Sequence, residues 1–438
     1  MIYCLCDFHY TVRHHRSASS RFISQLRSSF VTASLSFILI APLGAELISL
    51  EEMTGRWKGR AKAAASKRKW TEAAELLRKV ELANEKDVES KHLHAFVLYQ
   101  AKQYSAAAQK YHEVLLQDKN SFAAAYHLGR CLYEMKFHAL ATTAFERAAT
   151  LKLKEKELWN PHVDGKPLNA VDEATAAADC ARARCLLDWS EALGKLRRVK
   201  FPEEVKRHRS EADRILESLS MKQLPDSLGG RVAYYAALSA QQKGKQGDAR
   251  KQFRLLVDSM PEHPLAPTAS FAEARSWNEE DPLKALSLYR AFMGRFKESA
   301  IVADALIQTG VIYGRRKEFE NAAKTYTECL ERFPEHARIV QVHYQIGLSY
   351  LSAAKEKGNI KLYEMAAEKL IEFTKRDNGN PPFLGPALYH AGEAFLGSGQ
   401  KESARSAFTK GIQRWPDSHW AKKSKEKLNS GVFEKPDE

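Results

Sequence analysis

The 438-residue sequence lacks the short motifs that mark the common kinds of enzyme active site. It contains no glycine-rich phosphate loop, no HExxH zinc motif and no GxSxG nucleophile elbow. Cysteine is scarce, and Cys180 and Cys185 lie five apart on a predicted helix, where their side chains point to different sides. Outside the N-terminal region, His92 and His94 are the closest histidine pair, and on a helix they diverge. We therefore expect no enzymatic activity, no metal site and no cofactor.

Negative charge is the scarcer sign, because 54 acidic residues face 68 lysines and arginines and leave a formal net charge of +14. Such an excess can attract nucleic acid or an anionic membrane. The charges nevertheless alternate in sign along the predicted helices, as on a solvated surface. No basic stretch is interleaved with the aromatic residues that base stacking needs. We expect no nucleic-acid partner.

The sequence also lacks an apolar run of about 20 residues, the length that a membrane-spanning helix needs. Residues 1–45 contain four arginines against the single acidic residue Asp7, then a short apolar run over Phe30–Leu43 and small residues up to Ala45. This order predicts an export signal that is cleaved after Ala45. The serine-rich, acid-poor composition leaves a mitochondrial transit peptide as one alternative, and an uncleaved N-terminal membrane anchor is another.

The clearest pattern lies in the stretch Ala303–His336, which predicts two amphipathic helices followed by a proline. Its apolar and small residues fall on one face of each helix. These residues are Leu306, Gly310 and Tyr313 in the first helix, Phe319, Ala322, Tyr326 and Leu330 in the second, and Pro334 after it. Two helices of this length cannot bury their apolar faces alone, so we expect neighbours of the same kind.

This spacing resembles the tetratricopeptide repeat, in which a small residue in each helix lets the two backbones approach closely. The small residue of the second helix recurs eight times, each time with a large residue four places later. The alanines are Ala73, Ala107, Ala141, Ala249, Ala285, Ala322, Ala366 and Ala404, and the large residues are Leu77, Tyr111, Phe145, Phe253, Tyr289, Tyr326, Leu370 and Phe408. The resemblance implies an all-α fold, a right-handed superhelical solenoid of about nine antiparallel helix pairs.

The repeat pattern divides the chain into five segments. Residues 1–45 are the signal peptide, 46–152 an N-terminal repeat block, 153–229 an irregular connector with one degenerate helix pair, 230–428 a C-terminal repeat block and 429–438 a disordered tail. Prolines and a glycine predict a loop over residues 153–170. Insertions in such arrays either carry function or act as spacers, and the sequence leaves both readings open.

Two phrases in the C-terminal block, RFPEHARIVQVHYQIGLSY and RWPDSHWAKKSKEKL, place a proline turn directly before the next helix pair. They resemble exported bacterial tetratricopeptide proteins of the outer-membrane assembly and Tol–Pal groups. The resemblance covers roughly residues 230–428. It implies a location in the cell envelope without identifying the process.

In the tetratricopeptide family the first helix of each pair lines a groove that binds other proteins or peptides, and the register implies which residues face that groove. They are Tyr126, Arg130, Tyr133, Arg231, Tyr234, Tyr235, Tyr344 and Tyr389. Tyrosine and arginine are enriched where binding energy concentrates, although packing against a neighbouring helix is the alternative for each residue. Because successive helical residues diverge by about 100°, we expect at least one of Tyr234 and Tyr235 to face the groove or solvent.

The sequence therefore predicts a non-catalytic binding scaffold or adaptor in a bacterial cell envelope, with other proteins or peptides as partners. An association with a membrane complex is compatible with this prediction. One alternative is an auxiliary subunit of a polysaccharide- or peptidoglycan-handling enzyme, which a glycan-sized aromatic pocket would suggest. A mitochondrial adaptor is the other. The sequence leaves the identity of the partner and the oligomeric state open.

Overall fold

The computed structural model describes residues 49–151, 162–163, 166–167, 171–196, 201–376 and 381–433. The predicted signal peptide over residues 1–45 and the last five residues of the predicted tail lie outside this part. The described residues form two compact units, one that ends at Lys102 and one that begins at Gln103, and each is described by itself.

The first unit contains three helices, α1 (Leu50–Ser66), α2 (Trp70–Ala83) and α3 (Val88–Gln100). Helix α1 packs against α2, and α2 packs against α3. The side chains of Ser49 and Asp87 accept hydrogen bonds from backbone N–H groups in the first turns of α1 and α3, respectively. Each side chain satisfies a donor that has no partner within the helix.

The second unit begins with a block of helices that surrounds the irregular stretch. These are α4 (Tyr104–Gln117), α5 (Phe122–Glu134), α6 (His138–Thr150), α7 (Val171–Gly194), α8 (Pro202–Ser220), α9 (Asp226–Gln242) and α10 (Gln246–Ser259). Between α6 and α7, strands β1 (His162–Val163) and β2 (Lys166–Pro167) pair antiparallel, with His162 opposite Pro167. These four residues pair within the stretch that was predicted to be a loop.

Nine further helices complete the second unit. These are α11 (Ala266–Ser276), α12 (Pro282–Arg295), α13 (Val302–Arg315), α14 (Phe319–Arg332), α15 (Ile339–Lys357), α16 (Ile360–Arg376), α17 (Pro381–Gly397), α18 (Lys401–Arg414) and α19 (His419–Leu428). Each packs against the next helix along the chain. The all-α prediction of successive antiparallel helix pairs is confirmed. Among the helices that the structure describes, none combines the length and the apolar composition needed to cross a membrane.

The eight alanines that define the repeat are fully buried, each with 0% of its surface exposed. The large residues four places later are buried as well, from Leu77 to Phe408. A small side chain at this position lets the second helix approach the first, and the large side chain fills the remaining space between them. The sequence pattern therefore marks the core of each helix pair.

In six of the eight repeat pairs, the turn between the two helices has left-handed backbone geometry at one position. Arg68, Lys102, Lys136 and Lys317 have φ between 58° and 66° there, and Gly244 and Gly399 have φ of 77° and 79° at the equivalent position. All six residues lie five places before the repeat alanine of their pair. Non-glycine residues pay a steric cost in this conformation, so the positively charged members of the set store backbone strain.

Candidate functional site

Most of the tyrosines that were predicted to face a groove are buried in the structure. Tyr126, Tyr133, Tyr235, Tyr344 and Tyr389 each expose 9% or less of their surface. The ring of Tyr126 packs against Phe122 and Phe145, and that of Tyr344 packs against Phe373 and Phe383. A first helix contacts neighbours on two sides, so side chains at these positions fill the space between helices and offer little ring surface to a partner. Arg130, Arg231 and Tyr234 are partly exposed.

Tyr234 stays partly exposed, as expected of at least one of the two adjacent tyrosines, and Tyr235 is buried. Helix α9 packs against α7 on one side and α10 on the other. The ring of Tyr234 lies 5.6 Å from that of Phe253 on α10 and stays partly exposed, whereas Tyr235 is 5% exposed and lies near Arg184 on α7. Two diverging side chains can both pack because the helix between them has a neighbour on each side.

The structure brings three of the predicted residues to one point around Arg184, a residue that the sequence did not single out. The guanidinium carbon of Arg184 lies 4.6 Å from the centre of the Tyr133 ring and 5.9 Å from that of Tyr235. Tyr234 lies beside Tyr235, with ring centres 5.6 Å apart. We call Tyr133, Arg184, Asp188, Tyr234 and Tyr235 the Arg184 cluster. It joins helices α5, α7 and α9.

A single carboxylate balances the charge within the Arg184 cluster. Asp188 accepts a hydrogen bond from the Tyr133 hydroxyl, and its nearer oxygen lies 3.9 Å from the Nε atom of Arg184. That separation is too long for a hydrogen bond. The guanidinium also forms a side-chain hydrogen bond with Tyr133. Arg184 has 46% of its side chain exposed and Asp188 has 34%. A second cation, the Lys136 ammonium, lies 5.4 Å from the centre of the Tyr133 ring.

The protonation states of the Arg184 cluster suit binding better than acid–base chemistry. Burial raises the pKa of Tyr133 and that of Tyr235 well above the ordinary value, so both hydroxyls stay neutral near pH 7. Neutral rings with an arginine above them hold that arginine by cation–π attraction. The cluster therefore presents a fixed, half-exposed cation on an aromatic base, an arrangement that binds a carboxylate.

Arg184 was not predicted as a groove residue because it lies in the irregular stretch, where the repeat register assigns no groove positions. The segment ARARC contains two arginines that point in different directions. Arg182 is 13% exposed and forms ion pairs with Glu146, at 2.9 Å, and with Glu211. The one available signal was the spacing of four between Arg184 and Asp188, which places opposite charges on one helical face.

A cysteine and a histidine also meet beside the Arg184 cluster, but their environment does not favour catalysis. The sulfur of Cys185 lies 3.8 Å from Nδ1 of His138 and donates to the backbone oxygen of His138. Burial raises the pKa of the Cys185 thiol to about 11, and burial lowers the pKa of His138. A neutral thiol with no surface exposed is a packing residue. Within the described ranges, no group of three or more histidine, cysteine and acidic side chains could hold a metal ion.

Tyr389 belongs to a second polar cluster, on helices α15 and α17. The Glu393 carboxylate lies 3.1 Å from the Lys355 ammonium and 3.1 Å from Nδ1 of His390, and the Tyr389 hydroxyl donates to it at 3.4 Å. Burial alone would raise the pKa of Glu393, but hydrogen bonds from His390 and Lys355 lower it to about 2. This carboxylate is already satisfied, so the cluster ties two helix pairs together.

Two cavities open between helices of the second unit. One, of about 770 Å³, lies between α8, α9 and α10. Its lining combines aliphatic residues such as Leu216 and Val232 with charged ones such as Lys243. It contains no aromatic side chain, so it gives no support to a glycan-handling role. The other, of about 300 Å³, lies between α13 and α15 beside Gly310 and Tyr326.

Comparison with known proteins agrees with this architecture. The family model for the tetratricopeptide repeat matches residues 304–336 and 386–418, and the first match covers almost the whole stretch from which the repeat was recognised. These two segments are tetratricopeptide repeats. No curated protein matches the chain.

Solved structures share the fold at low sequence identity. A signal-transduction ATPase with a tetratricopeptide repeat sensor from Pyrococcus horikoshii is 10% identical over 88% of this chain and 56% of its own, with a TM-score of 0.52. A tetratricopeptide repeat protein from Parabacteroides merdae is 12% identical over 68% of this chain and 99% of its own, with a TM-score of 0.46. PilW, a type IV pilus biogenesis factor, is 14% identical over 58% of this chain and 97% of its own, with a TM-score of 0.41.

Proposed function

We propose that this chain is a non-catalytic scaffold that binds an acidic segment of another protein along helices α5, α7 and α9. Tetratricopeptide repeats generally bind other proteins or peptides, which supports the general role. The observation that carries the specific proposal is the position of Arg184, half-exposed above the rings of Tyr133 and Tyr235.

The charges around Arg184 favour an acidic partner. Arg184 and Lys136 both lie beside the Tyr133 ring, and Asp188 is the carboxylate in contact with them. Arg231 lies one helical turn before Tyr235 on α9 and is partly exposed. An arginine held above an aromatic ring loses little side-chain freedom when it binds, and it can meet a carboxylate with two parallel hydrogen bonds. Arginine and tyrosine are also the residue types that dominate binding energy at interfaces.

The proposal is tested with a variant that removes the charge and keeps the packing. Arg184→Met retains an unbranched side chain above the two rings. Tyr235→Ala would instead open a cavity in the core, so a loss of binding could result from a loss of folding. The matched control is Arg290→Met, at an exposed arginine on α12. Affinity capture from the native cell should lose partners with Arg184→Met and keep them with Arg290→Met.

Circular dichroism of both variants should match the wild-type protein. If Arg184→Met retains every partner of the wild-type chain, the binding site lies elsewhere.

We also propose that the protein works in a bacterial cell envelope. The support is the order of basic, apolar and small residues over positions 1–45. The mature chain should then begin at Glu46, which N-terminal sequencing of the native protein can determine. An intact Met1 on protein from the cytosol would contradict this location.

A further inference from the structure

The C-terminal end of the second unit carries an excess of positive charge. Residues 401–433, which form α18, α19 and the turn after them, contain eight lysines and arginines and three acidic residues. The cations are Lys401, Arg405, Lys410, Arg414, Lys422, Lys423, Lys425 and Lys427. The five residues that follow add three carboxylates and one lysine, so the whole segment stays positive.

These cations differ from several arginines of the preceding helices because they have no acidic partners in the described part of the chain. Arginines of α13 to α15 are paired: Arg315 with Glu279, Arg332 with Glu328 and Arg338 with Asp304. Among the described residues, none of the eight cations over 401–433 forms an ion pair within 4.0 Å. Unpaired charges of one sign repel each other, and a bound anionic surface removes that repulsion.

Aromatic residues lie among these cations. The guanidinium of Arg414 lies 5.0 Å from the centre of the Trp415 ring, the ammonium of Lys423 lies 4.9 Å from Trp420, and the guanidinium of Arg405 lies 5.0 Å from Phe433. All three rings are partly exposed. Tryptophan flanked by lysine and arginine is the composition of protein surfaces that lie in the headgroup layer of a membrane.

The positions of the cations favour a membrane over single-stranded nucleic acid as the ligand of this surface. A base needs a free aromatic face to stack on. Here a cation lies over each of the three rings, so a base would have to displace it. A lipid headgroup needs only the cation itself, with the ring at the depth of the glycerol layer.

Helix α19 is placed to make this contact. It packs on α17 and α18 through buried Ala421 and Ser424, while Lys422 and Lys425 point to solvent. We propose that the surface of α18 and α19 binds the face of a bilayer that contains anionic phospholipid. This surface is separate from the Arg184 cluster, so it can hold the scaffold at a membrane while α5, α7 and α9 bind a protein.

The test measures binding of the full-length chain to vesicles by sedimentation. Vesicles of phosphatidylcholine with about one third phosphatidylserine should bind the protein, and vesicles of phosphatidylcholine alone should not. Each basic residue at an anionic surface changes affinity roughly fivefold, so Lys422→Gln with Lys425→Gln should weaken binding about 25-fold. The matched control, Lys206→Gln with Lys297→Gln, removes two exposed lysines elsewhere and should change affinity less than twofold.

Competitors identify what the surface recognises. Inorganic phosphate at millimolar concentration should leave vesicle binding intact, because a single phosphate contacts one or two cations whereas a bilayer contacts all of them. A single-stranded oligonucleotide should displace the vesicles only weakly. Equal binding to neutral vesicles, equal loss in the test and control variants, or tighter binding to the oligonucleotide than to the vesicles would each overturn the proposal.

Discussion

Replacing Gly310 tests the packing that defines the helix pair. A Cβ atom added at Gly310 would lie 2.5 Å from Cε1 of Tyr326 and 2.7 Å from its Cζ, inside normal contact distance. Tyr326 is 4% exposed and cannot swing into solvent without opening the core. On the same helix, one turn later, a Cβ at Gly314 would meet no atom within 4 Å. The two glycines therefore differ in packing and share a helical backbone.

The expected free energies follow from two opposing terms. Alanine favours a helix over glycine by about 1 kcal/mol, so Gly314→Ala should stabilise the protein by about that amount. At Gly310 the same gain is opposed by an overpacking cost of about 1–3 kcal/mol. Gly310→Ala should thus be less stable than Gly314→Ala by about 1–3 kcal/mol, and Gly310→Leu should be destabilised by a few kcal/mol.

Urea unfolding monitored by circular dichroism measures both variants against the wild-type chain. A third protein, Gly310→Ala with Tyr326→Val, removes the ring that the new methyl group meets and should show a coupling free energy that favours the double variant. Equal midpoints for Gly310→Ala and Gly314→Ala would refute the close-packing argument. The same outcome would also remove the physical reason for a small residue at this point of the repeat.

Three further predictions concern a turn, an ion pair and a loop. Lys317→Gly should raise the free energy of unfolding by about 1 kcal/mol, because glycine adopts the left-handed φ without strain. Gly399→Ala, at the equivalent turn, should lower the free energy of unfolding for the same reason. Thermal melts of both variants against the wild-type chain measure these changes. The low pKa of Glu393 means that its ionised form stabilises the fold above pH of about 4.5, and that this contribution is lost as the pH falls towards about 2. The stability advantage of the wild-type chain over Glu393→Gln should therefore shrink across that pH range in urea titrations. Limited proteolysis should cut first between Glu157 and Leu168, and first cuts within 303–334 would contradict the repeat assignment.

The sequence predicted the cores of the helix pairs because one pattern, an alanine followed four places later by a large residue, occurs eight times. Ala322 with Tyr326 would be weak evidence alone, but the same pair of small and large residues recurs along the chain, and all eight alanines are fully buried. The left-handed turn was not predicted. Lys317 and Gly399 hold the same position, and only the backbone shows that a lysine there adopts the geometry normally left to glycine.

The groove residues were predicted less well, because a register gives the direction of a side chain without giving the neighbour it meets. Tyr235 was expected at a surface, and the irregular helix α7 covers it. The length and position of α7 do not follow from a 34-residue period, so no repeat-based rule could place Arg184 above the Tyr235 ring. A repeated pattern predicts which residues pack together within the repeats, and it makes no such prediction for the inserted helix α7.

The interruption of the repeat is also where the Arg184 cluster lies, with Arg184 and Asp188 on helix α7. Some charged side chains of the regular pairs meet partners on adjacent helices, as Lys357 meets Glu320. On helix α7, Arg182 pairs with Glu146 and Glu211. Arg184, two residues later, contacts Tyr133, and Asp188 is the carboxylate that lies 3.9 Å from its Nε atom. A cation that is fixed by two buried tyrosines and left without a close carboxylate has the highest gain from an external one. The inserted stretch thus supplies the arginine on which the proposed binding site is centred.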